Sequence, residues 1–292
     1  MASITVAGII LGSVAVVTLS TGRSDGTPTF EKATTTTSLV SKPLVKARVV
    51  TVTGKDFKFD APDEIPAGLT EFRFLNKGPA IHHMQILKLT KGKTFTDLRT
   101  ALARQGPPPT WMKEVGGPNA PAPGTESNAT LMLEPGNYAI ICFVDIGGAP
   151  HFTKGMVRPF KVVAASGPAA SNPIPDVTAT LFDYNFKLSA PILAGTRTIK
   201  VQNTATQPHE LELVQLAPGK TANDFLAWAG EGMKGPPPAK PIGGIAGLER
   251  GMSQTFTANF TPGNYAFICF IPDARDGKPH FTHGMTKDFS VK

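Results

Sequence analysis

From residue 45 onward, the chain consists of short runs in which apolar and polar residues alternate. Residues 45–52 and 71–75 follow the period of two that a half-buried β-strand requires, and residues 84–89 are also strand-like. Turn-forming segments rich in proline and glycine separate such runs, for example at residues 66–68 and 134–136. The pattern predicts many short strands joined by turns, and therefore an all-β fold.

Helical spacing is limited to two short windows. Residues 94–104 (TFTDLRTALAR) begin with a Thr-x-x-Asp sequence that fits a capping box, and residues 221–228 begin in the same way. Residues 106–124 are rich in proline and glycine and are interpreted as a loop. Each half of the chain is therefore expected to carry a short helix within an insertion between strands.

The second half of the chain repeats the first. The matching residues are 127 positions apart in the pairs Asn76/Asn203, His82/His209, Tyr138/Tyr265 and Cys142/Cys269, and 129 positions apart in the pairs His151/His280 and Met156/Met285. We infer that a whole domain has been duplicated. The predicted organisation is a first domain at residues 46–164, a linker at 165–176 and a second domain at 177–292.

The chain starts with an apolar segment. Residues 2–19 are almost wholly apolar, and a Thr-rich stretch follows them. We interpret residues 1–20 as a signal peptide or a membrane anchor, although no basic residue precedes the apolar run, and residues 21–45 as a flexible linker. Either interpretation places the domains outside the cytoplasm, whether periplasmic, at a cell surface or secreted.

Composition and charge narrow the classes of partner. The counts of 29 glycines and 27 prolines agree with a turn-rich fold. The formal net charge is +7, but the basic residues are scattered and form no block, which argues against nucleic-acid binding. A basic surface of this kind favours a partner protein with an acidic surface. The two cysteines, Cys142 and Cys269, occupy equivalent points of the repeat and are expected to lie in separate cores rather than in a disulfide.

Side chains that bind metals are concentrated in two kinds of segment. All histidines and both cysteines follow the Asn76 or Asn203 loop or lie in the stretch that ends in methionine. Histidines that only filled a core would be scattered, so this clustering favours a metal. Two imidazoles, a thiolate and a weak thioether are the ligands of a type 1 (blue) copper site. The candidate ligands are His82, Cys142, His151 and Met156 in the first domain and His209, Cys269, His280 and Met285 in the second.

Other chemistry matches these residues less well. Structural zinc usually has four strong ligands, and a set of one Cys, two His and a weak Met does not provide them. A catalytic zinc with three protein ligands and a water remains an alternative. We identify no Asp or Glu that recurs in step with the histidines, so no nucleophilic triad is indicated and no catalytic residue is assigned. His83 and His283 are expected to be exposed or to lie beside ligands rather than to bind metal.

Both domains resemble cupredoxins, the family of plastocyanin and azurin. The Asn76…His82 segment and its repeat are similar to the Asn…Pro-His loop of plastocyanins, and the Pro-Gly-Asn-Tyr…Cys and Pro-His-x4-Met sequences are also shared. The resemblance covers residues from about 50 to 163 and from about 178 to 292. It implies two tandem Greek-key β-sandwich domains, each with one type 1 copper at one end.

The loop between cysteine and histidine is longer than in plastocyanins. Eight residues separate Cys142 from His151, a spacing that resembles the type 1 site of copper nitrite reductases, and ten separate Cys269 from His280. The ten-residue spacing matches no pattern of a known type 1 site, so the sequence supports the second site less than the first.

Two-domain cupredoxins suggest multicopper oxidases and nitrite reductases, which relay electrons through a histidine beside the cysteine. Ile141 and Ile268 occupy this position, and the chain has no His-x-His pair. An enzyme is therefore not favoured, unless His83 and His283 form part of a second copper centre between domains or subunits.

The sequence as a whole predicts an exported copper protein with two type 1 sites that transfers single electrons to or from a redox partner. The alternatives are a copper storage or delivery protein, a metal-free cupredoxin-like module for envelope interactions and, less favoured, a multicopper enzyme.

Overall fold

The structure, a computed structural model, describes residues 46–104, 106–145, 148–166 and 170–292, which belong to one compact unit. The predictions of a signal peptide or anchor at residues 1–20 and of a linker at residues 21–45 fall outside this part of the chain. Over the described ranges, no helix has both the length and the apolar character needed to cross a membrane.

The strands and helices follow the same order in both halves. The first half contains β1 (Arg48–Lys55), β2 (Lys58–Asp60), β3 (Glu64–Pro66), β4 (Gly68–Asn76), β5 (Gln85–Leu89), α1 (Phe95–Leu102), β6 (Met112–Glu114), β7 (Glu126–Leu133), β8 (Gly136–Ile141) and β9 (Val157–Val163). The second half contains β10 (Val177–Phe182), β11 (Asn185–Leu188), β12 (Gly195–Asn203), β13 (His209–Leu216), α2 (Ala222–Gly230), β14 (Ala239–Leu248), β15 (Ser253–Phe260), β16 (Gly263–Ile268) and β17 (Thr286–Val291).

Both predicted helices are confirmed. Thr94 caps α1 and Thr221 caps α2, and each threonine exchanges hydrogen bonds with the aspartate three residues later in a capping box. Leu98 of α1 and Phe225 of α2 are buried against the outer face of a sheet, in small clusters separate from the main cores. The structure therefore confirms both features that predicted each helix, the capping box at its start and the apolar face.

Each half of the chain is a β-sandwich. In the first half, the sheet β2-β1-β4-β7 packs against the sheet β3-β9-β8-β5-β6. In the second half, β11-β10-β12-β15 packs against β14-β13-β16-β17. The chain leaves the first sheet after β4 and returns to it as β7 beside β4, which is a Greek-key crossing. The predicted all-β fold of two sandwiches is confirmed.

The two sandwiches share one continuous sheet. Strands β7 and β15 pair antiparallel at Thr130 and Thr255, which joins four strands from each half in the order β11-β10-β12-β15-β7-β4-β1-β2. Strands β10, β11, β12 and β15 are the repeat equivalents of β1, β2, β4 and β7. With these replacements the order is the same from either end of the sheet. The two halves therefore meet across an approximate twofold axis, as the subunits of a symmetric dimer do.

A second seam corrects the interpretation of residues 106–124 as a loop. Strand β6 pairs with β5, and the residues after it pair with β14 of the other half through bridges at Val115–Leu248, Pro118–Ile245 and Pro121–Ile242. The interpretation was wrong because the partner strand belongs to the other half, and the local sequence carries no signal of it. Pro118 is tolerated here because its neighbours supply the N–H groups that cross the seam, from Gly116 to the Gly247 carbonyl and from Asn119 to the Gly244 carbonyl.

Two glycines allow the backbone of this seam to lie close to the neighbouring strand within each half. Gly117 and Gly244 are equivalent in the repeat and have φ values of +121° and +117°. A Cβ atom at Gly117 would collide with the carbonyl oxygen of Met84, and one at Gly244 would collide with that of Leu211. Only glycine meets both the conformational and the steric requirement.

The cysteines lie in separate cores, as predicted. Cys142 is buried in the core of the first sandwich, Cys269 is buried in that of the second, and both are free. The Tyr138 and Tyr265 hydroxyls each donate a hydrogen bond of 2.9 Å to a backbone carbonyl four residues upstream. These tyrosines therefore fix the strand corner that leads to each cysteine.

Candidate metal centres

The backbone of the cysteine-to-methionine stretch places the candidate ligands of the first domain. Cys142 directly follows β8, and its N–H donates to the Met156 carbonyl at 3.1 Å. The Met156 N–H in turn donates to the His151 carbonyl at 3.1 Å. Gly155, with φ +101°, closes the short 3₁₀ turn that starts at His151. These bonds hold cysteine, histidine and methionine against one another without help from a metal.

The second domain uses the same bonds in spite of its longer loop. The Cys269 N–H donates to the Met285 carbonyl at 3.2 Å, and the Met285 N–H donates to the His280 carbonyl at 3.1 Å. The two additional residues lie at the tip, because the loop closes with a Pro272–Pro279 bridge where the first domain has an Asp145–Pro150 bridge. The insertion therefore leaves the base of the site unchanged.

A buried asparagine fixes the earlier histidine in each domain. The Asn76 side chain donates to the Ala80 carbonyl at 2.9 Å and accepts from the Gly78 N–H at 3.1 Å, which ties down the loop before His82. Asn203 makes the equivalent bonds before His209. An asparagine side chain replaces the missing backbone partners of such a loop, which accounts for the Asn…His spacing in the sequence.

In the first domain, three candidate ligands converge. The Nδ1 atoms of His82 and His151 are 2.9 Å apart, and the Cys142 Sγ atom is 3.6 Å from the His151 Nδ1 atom. All three side chains are at most 1% exposed. The ligand atoms of the three residues lie within 4.8 Å of one another.

The second domain shows the same convergence. The Cys269 Sγ atom is 3.4 Å from the His280 Nδ1 atom and 3.8 Å from the His209 Nδ1 atom. All three residues are fully buried. The domain with the longer loop therefore has a cluster as compact as that of the first domain.

The sulfur–nitrogen distances fit one metal ion in each cluster, whereas the two Nδ1 atoms of the first cluster, 2.9 Å apart, would have to separate slightly around a shared ion. A nitrogen and a sulfur ligand, each roughly 2.0–2.3 Å from a shared ion at about 110–120°, would be roughly 3.6–3.8 Å apart. The sulfur–nitrogen distances of 3.4–3.8 Å match this arrangement. Imidazole and thiolate together suit copper, whereas a structural zinc would call for a fourth strong ligand.

The candidate axial ligands lie beside the clusters. Met156 and Met285 are fully buried in the same cores as Cys142 and Cys269. Their backbone bonds to cysteine and histidine place both methionines within each site's own loop. Their assignment as axial ligands stays a prediction that rests on the chemistry of a weak thioether ligand.

Sequence reasoning missed an aspartate in each site. The His82 Nε2 atom is 2.6 Å from Asp56 Oδ1, and the His209 Nε2 atom is 2.9 Å from Asp183 Oδ1. The statement that no carboxylate recurs in step with the histidines was wrong, since Asp56 and Asp183 are also 127 residues apart. That offset was the available signal. A carboxylate on the far nitrogen fixes the tautomer that presents Nδ1 to a metal.

Burial keeps the ligand groups uncharged. It lowers the pKa of His82 and His209, and it lowers the pKa of His151 and His280 to about 4, with the neighbouring histidine of each pair acting in the same direction. Burial raises the pKa of the Cys142 thiol to about 12. The imidazoles are therefore ready to bind a metal, whereas the thiol loses its proton only when a cation binds.

The later histidines have different surroundings in the two domains. Phe57 packs edge-on against His151 at 4.8 Å, and the Lys154 ammonium lies 4.6 Å from the centre of the Phe57 ring. In the second domain, the equivalent aromatic residue, Tyr184, packs against His280 at 5.6 Å. A cation therefore lies near the first site.

A buried carboxylate lies near the second site instead. Asp273 is fully buried as a side chain, accepts hydrogen bonds from Tyr184 and Gln207, and lies 3.7 Å from the His280 Nε2 atom. The Arg275 guanidinium contacts the same carboxylate at 3.2 Å. Asp273 comes from the longer loop, so the insertion adds a charged group rather than removing a ligand.

His83 and His283 lie outside the two clusters. His83 is buried, and its Nε2 atom accepts a hydrogen bond of 2.8 Å from the Phe143 N–H. Glu210 occupies the equivalent position and accepts from the Phe270 N–H at 2.9 Å. His283 is half-buried and lies 3.3 Å from Asp276. These two residues and Asp273 form a third group of side chains with ligand atoms close together. Each domain thus has one polar side chain that supports the residue after its cysteine.

No protein-family model matches the chain, and no curated protein matches it. Solved structures do match. A dithionite-reduced auracyanin from the photosynthetic bacterium Roseiflexus castenholzii is 24% identical, with 39% of this chain and 94% of that chain covered and a TM-score of 0.28. A blue copper oxidase from Nitrosomonas europaea is 14% identical, with 84% and 86% covered and a TM-score of 0.25. A copper nitrite reductase from Nitrosomonas europaea is 12% identical, with 85% and 94% covered and a TM-score of 0.25.

These TM-scores are all below 0.5, so the class of the protein rests on the fold and the clusters of this chain itself. Each half is a Greek-key sandwich with a cysteine at the end of a strand and two histidines beside it. The chain consists of two cupredoxin-like domains, each with one candidate copper site.

Proposed function

We propose that each domain binds one copper ion in a type 1 site and that the protein transfers single electrons. The proposed ligands are His82, Cys142, His151 and Met156 in the first domain and His209, Cys269, His280 and Met285 in the second. Bound copper would supply a one-electron couple. The observation that carries the proposal is the convergence, in both domains, of two Nδ1 atoms and one Sγ atom in a fully buried cluster.

The protein's own contribution is a rigid and dry site. The backbone bonds around Cys142 and His151 and the carboxylate of Asp56 hold the ligands in one arrangement. Buried ligands on a packed core cannot rearrange easily between oxidation states. A fixed arrangement suits electron transfer better than copper delivery, in which the ligands must release the ion.

Copper loading of the purified protein tests the sites. Protein with two equivalents of Cu(II) should become intensely blue through thiolate charge transfer. Cys142→Ser and Cys269→Ser should each remove one site's share of the colour, and the double variant should be colourless. Tight copper binding without a thiolate band would contradict the type 1 assignment.

Voltammetry separates electron transfer from storage. A reversible one-electron couple for each loaded site supports the proposal, whereas tight Cu(I) binding without a couple supports the storage or delivery alternative. His83→Gln is a matched control, because His83 is buried beside the first site but lies outside its ligand cluster. This variant should keep the blue colour.

We further propose an extracytoplasmic protein that works with an acidic redox partner. The location rests on the apolar segment at residues 2–19, and the partner rests on the net charge of +7 and on Lys154 beside the first site. Electron exchange with an acidic electron carrier should slow as salt is added, and Lys154→Glu should slow it further. Rates that do not depend on salt would contradict this partner chemistry. Fractionation of cells that express the full chain tests the location.

A further inference from the structure

A large cavity lies between the two domains. Its volume is about 1300 Å³, and residues of both halves line it, including α1, α2 and the loops that follow the two cysteines. Much of its wall is aromatic: Trp111, Phe143, Phe152, Phe225, Phe270 and Phe281. Sites for small organic molecules are mostly apolar cavities of about 300–1,000 Å³, so this cavity is large enough to hold one.

Three glutamates also line the cavity, and two of them have carboxylate oxygens without a partner. Glu212 is only 4% exposed, and its Oε2 atom accepts from the Ala120 N–H at 3.1 Å, whereas its Oε1 atom has no hydrogen-bond partner. The Oε2 atom of Glu114 is also buried without a partner. Glu210, in contrast, has both oxygens bonded, to Asn119 and to the Phe270 N–H.

The cavity offers these carboxyl groups little positive charge. Across the residues that the structure describes, Glu114, Glu210 and Glu212 take part in no salt bridge. Of the basic residues in the lining, Lys93 is paired with Asp97 at 3.0 Å and Arg104 is exposed. Burial raises the pKa of Glu212 well above its usual value and that of Glu114 to about 7, so the cavity by itself favours protonated carboxyl groups. A bound cation would favour the ionised form and complete an ion pair with it.

The geometry does not suit a bare metal ion. The groups of acidic and histidine side chains whose ligand atoms lie within 4.8 Å of one another, in the described part of the chain, do not include these three glutamates. The space is also much larger than one ion would fill. The occupant should carry a positive charge and an apolar body.

We propose that the cavity between the domains binds an organic cation, an amine on an aromatic or similarly apolar body. The amine would lie at the unpartnered Oε1 atom of Glu212, and the body would pack against the aromatic wall. Aromatic faces attract cations in addition to covering apolar surface. The proposal does not depend on copper, because Glu212 belongs to neither ligand cluster.

Calorimetric titration of the metal-free protein tests this site with three related probes. Tryptamine is a cation at about pH 8, tryptophol has the same ring with a hydroxyl in place of the amine, and indole-3-propionate is an anion. We expect tryptamine to bind at least about tenfold more tightly than tryptophol, and the anion not to bind, because the amine completes a buried ion pair.

Two variants and one control locate the binding. Glu212→Gln should reduce the affinity for tryptamine by about tenfold or more and leave that for tryptophol almost unchanged. Ala229→Trp, at a half-buried position of α2 that lines the cavity, should weaken the binding of both probes, because the larger side chain occupies part of the cavity. Glu64→Gln, an exposed residue outside the lining, should change neither.

The proposal is overturned if tryptamine does not bind, if tryptophol binds as tightly, or if Ala229→Trp leaves both affinities unchanged. It is also overturned if Glu212→Gln folds and binds tryptamine with unchanged affinity. None of these results bears on the blue copper test, so the two proposals can fail separately.

Discussion

Glu114→Gln should stabilise the protein near pH 8 and leave its stability near pH 5 almost unchanged. Glu114 lies at the seam between the domains, where its Oε2 atom is buried without a hydrogen-bond partner. Burial, together with the charges of Glu210 and Glu249, raises its pKa from 4.5 to about 7. Lys113 on the same strand pairs with Glu249 at 3.5 Å and leaves Glu114 without a cation.

The sign and size of the effect follow from this pKa. Between pH 4.5 and about 7, the folded protein keeps the Glu114 proton and the unfolded chain has lost it, so the stability falls as the pH rises. Each pH unit between the two pKa values corresponds to about 1.4 kcal/mol. The ionised side chain therefore destabilises the fold by about 3 kcal/mol above pH 7, and glutamine removes this penalty.

Urea denaturation of the metal-free protein, followed by tryptophan fluorescence at about pH 5 and about pH 8, measures this difference. Exposed Glu64→Gln is the control and should have the same small effect at both pH values. The reasoning is refuted if Glu114→Gln changes the free energy of unfolding equally at both pH values, or if it destabilises the protein near pH 8.

Three further substitutions test the sites and the seam. Asp56→Asn should weaken copper binding in the first domain by about 10–100-fold, as measured by competition with a chelator, because the earlier histidine loses the carboxylate that orients it. Asp273→Asn should raise the reduction potential of the second site, as measured by voltammetry, because a buried negative charge near the later histidine favours Cu(II); an unchanged potential would show that Arg275 already neutralises it. Gly117→Ala should destabilise the protein by more than about 2 kcal/mol in urea denaturation, well beyond Gly219→Ala, where φ is also positive but the space is open; equal effects would exclude the predicted collision.

The length of the cysteine-to-histidine loop is a poor guide to the geometry of the second site. Its cysteine-to-histidine loop has ten residues rather than eight, which made its site less secure on sequence alone. The bridge between Pro272 and Pro279 closes the loop above the site, and the base keeps the bonds of the first domain. Spacing along the chain does not show where an insertion is accommodated, since only the closed loop decides that.

The amino-acid sequence by itself determined the strands, the capped helices, the duplication and the candidate copper ligands, because each depends on local patterns or on direct repetition. Only the tertiary structure decided which residues distant in the chain contact one another. It brought Asp56 to His82, paired residues after β6 with the other half, and buried Glu212 beside a cavity that both domains form. Such contacts join residues far apart in the chain, so no local pattern specifies them.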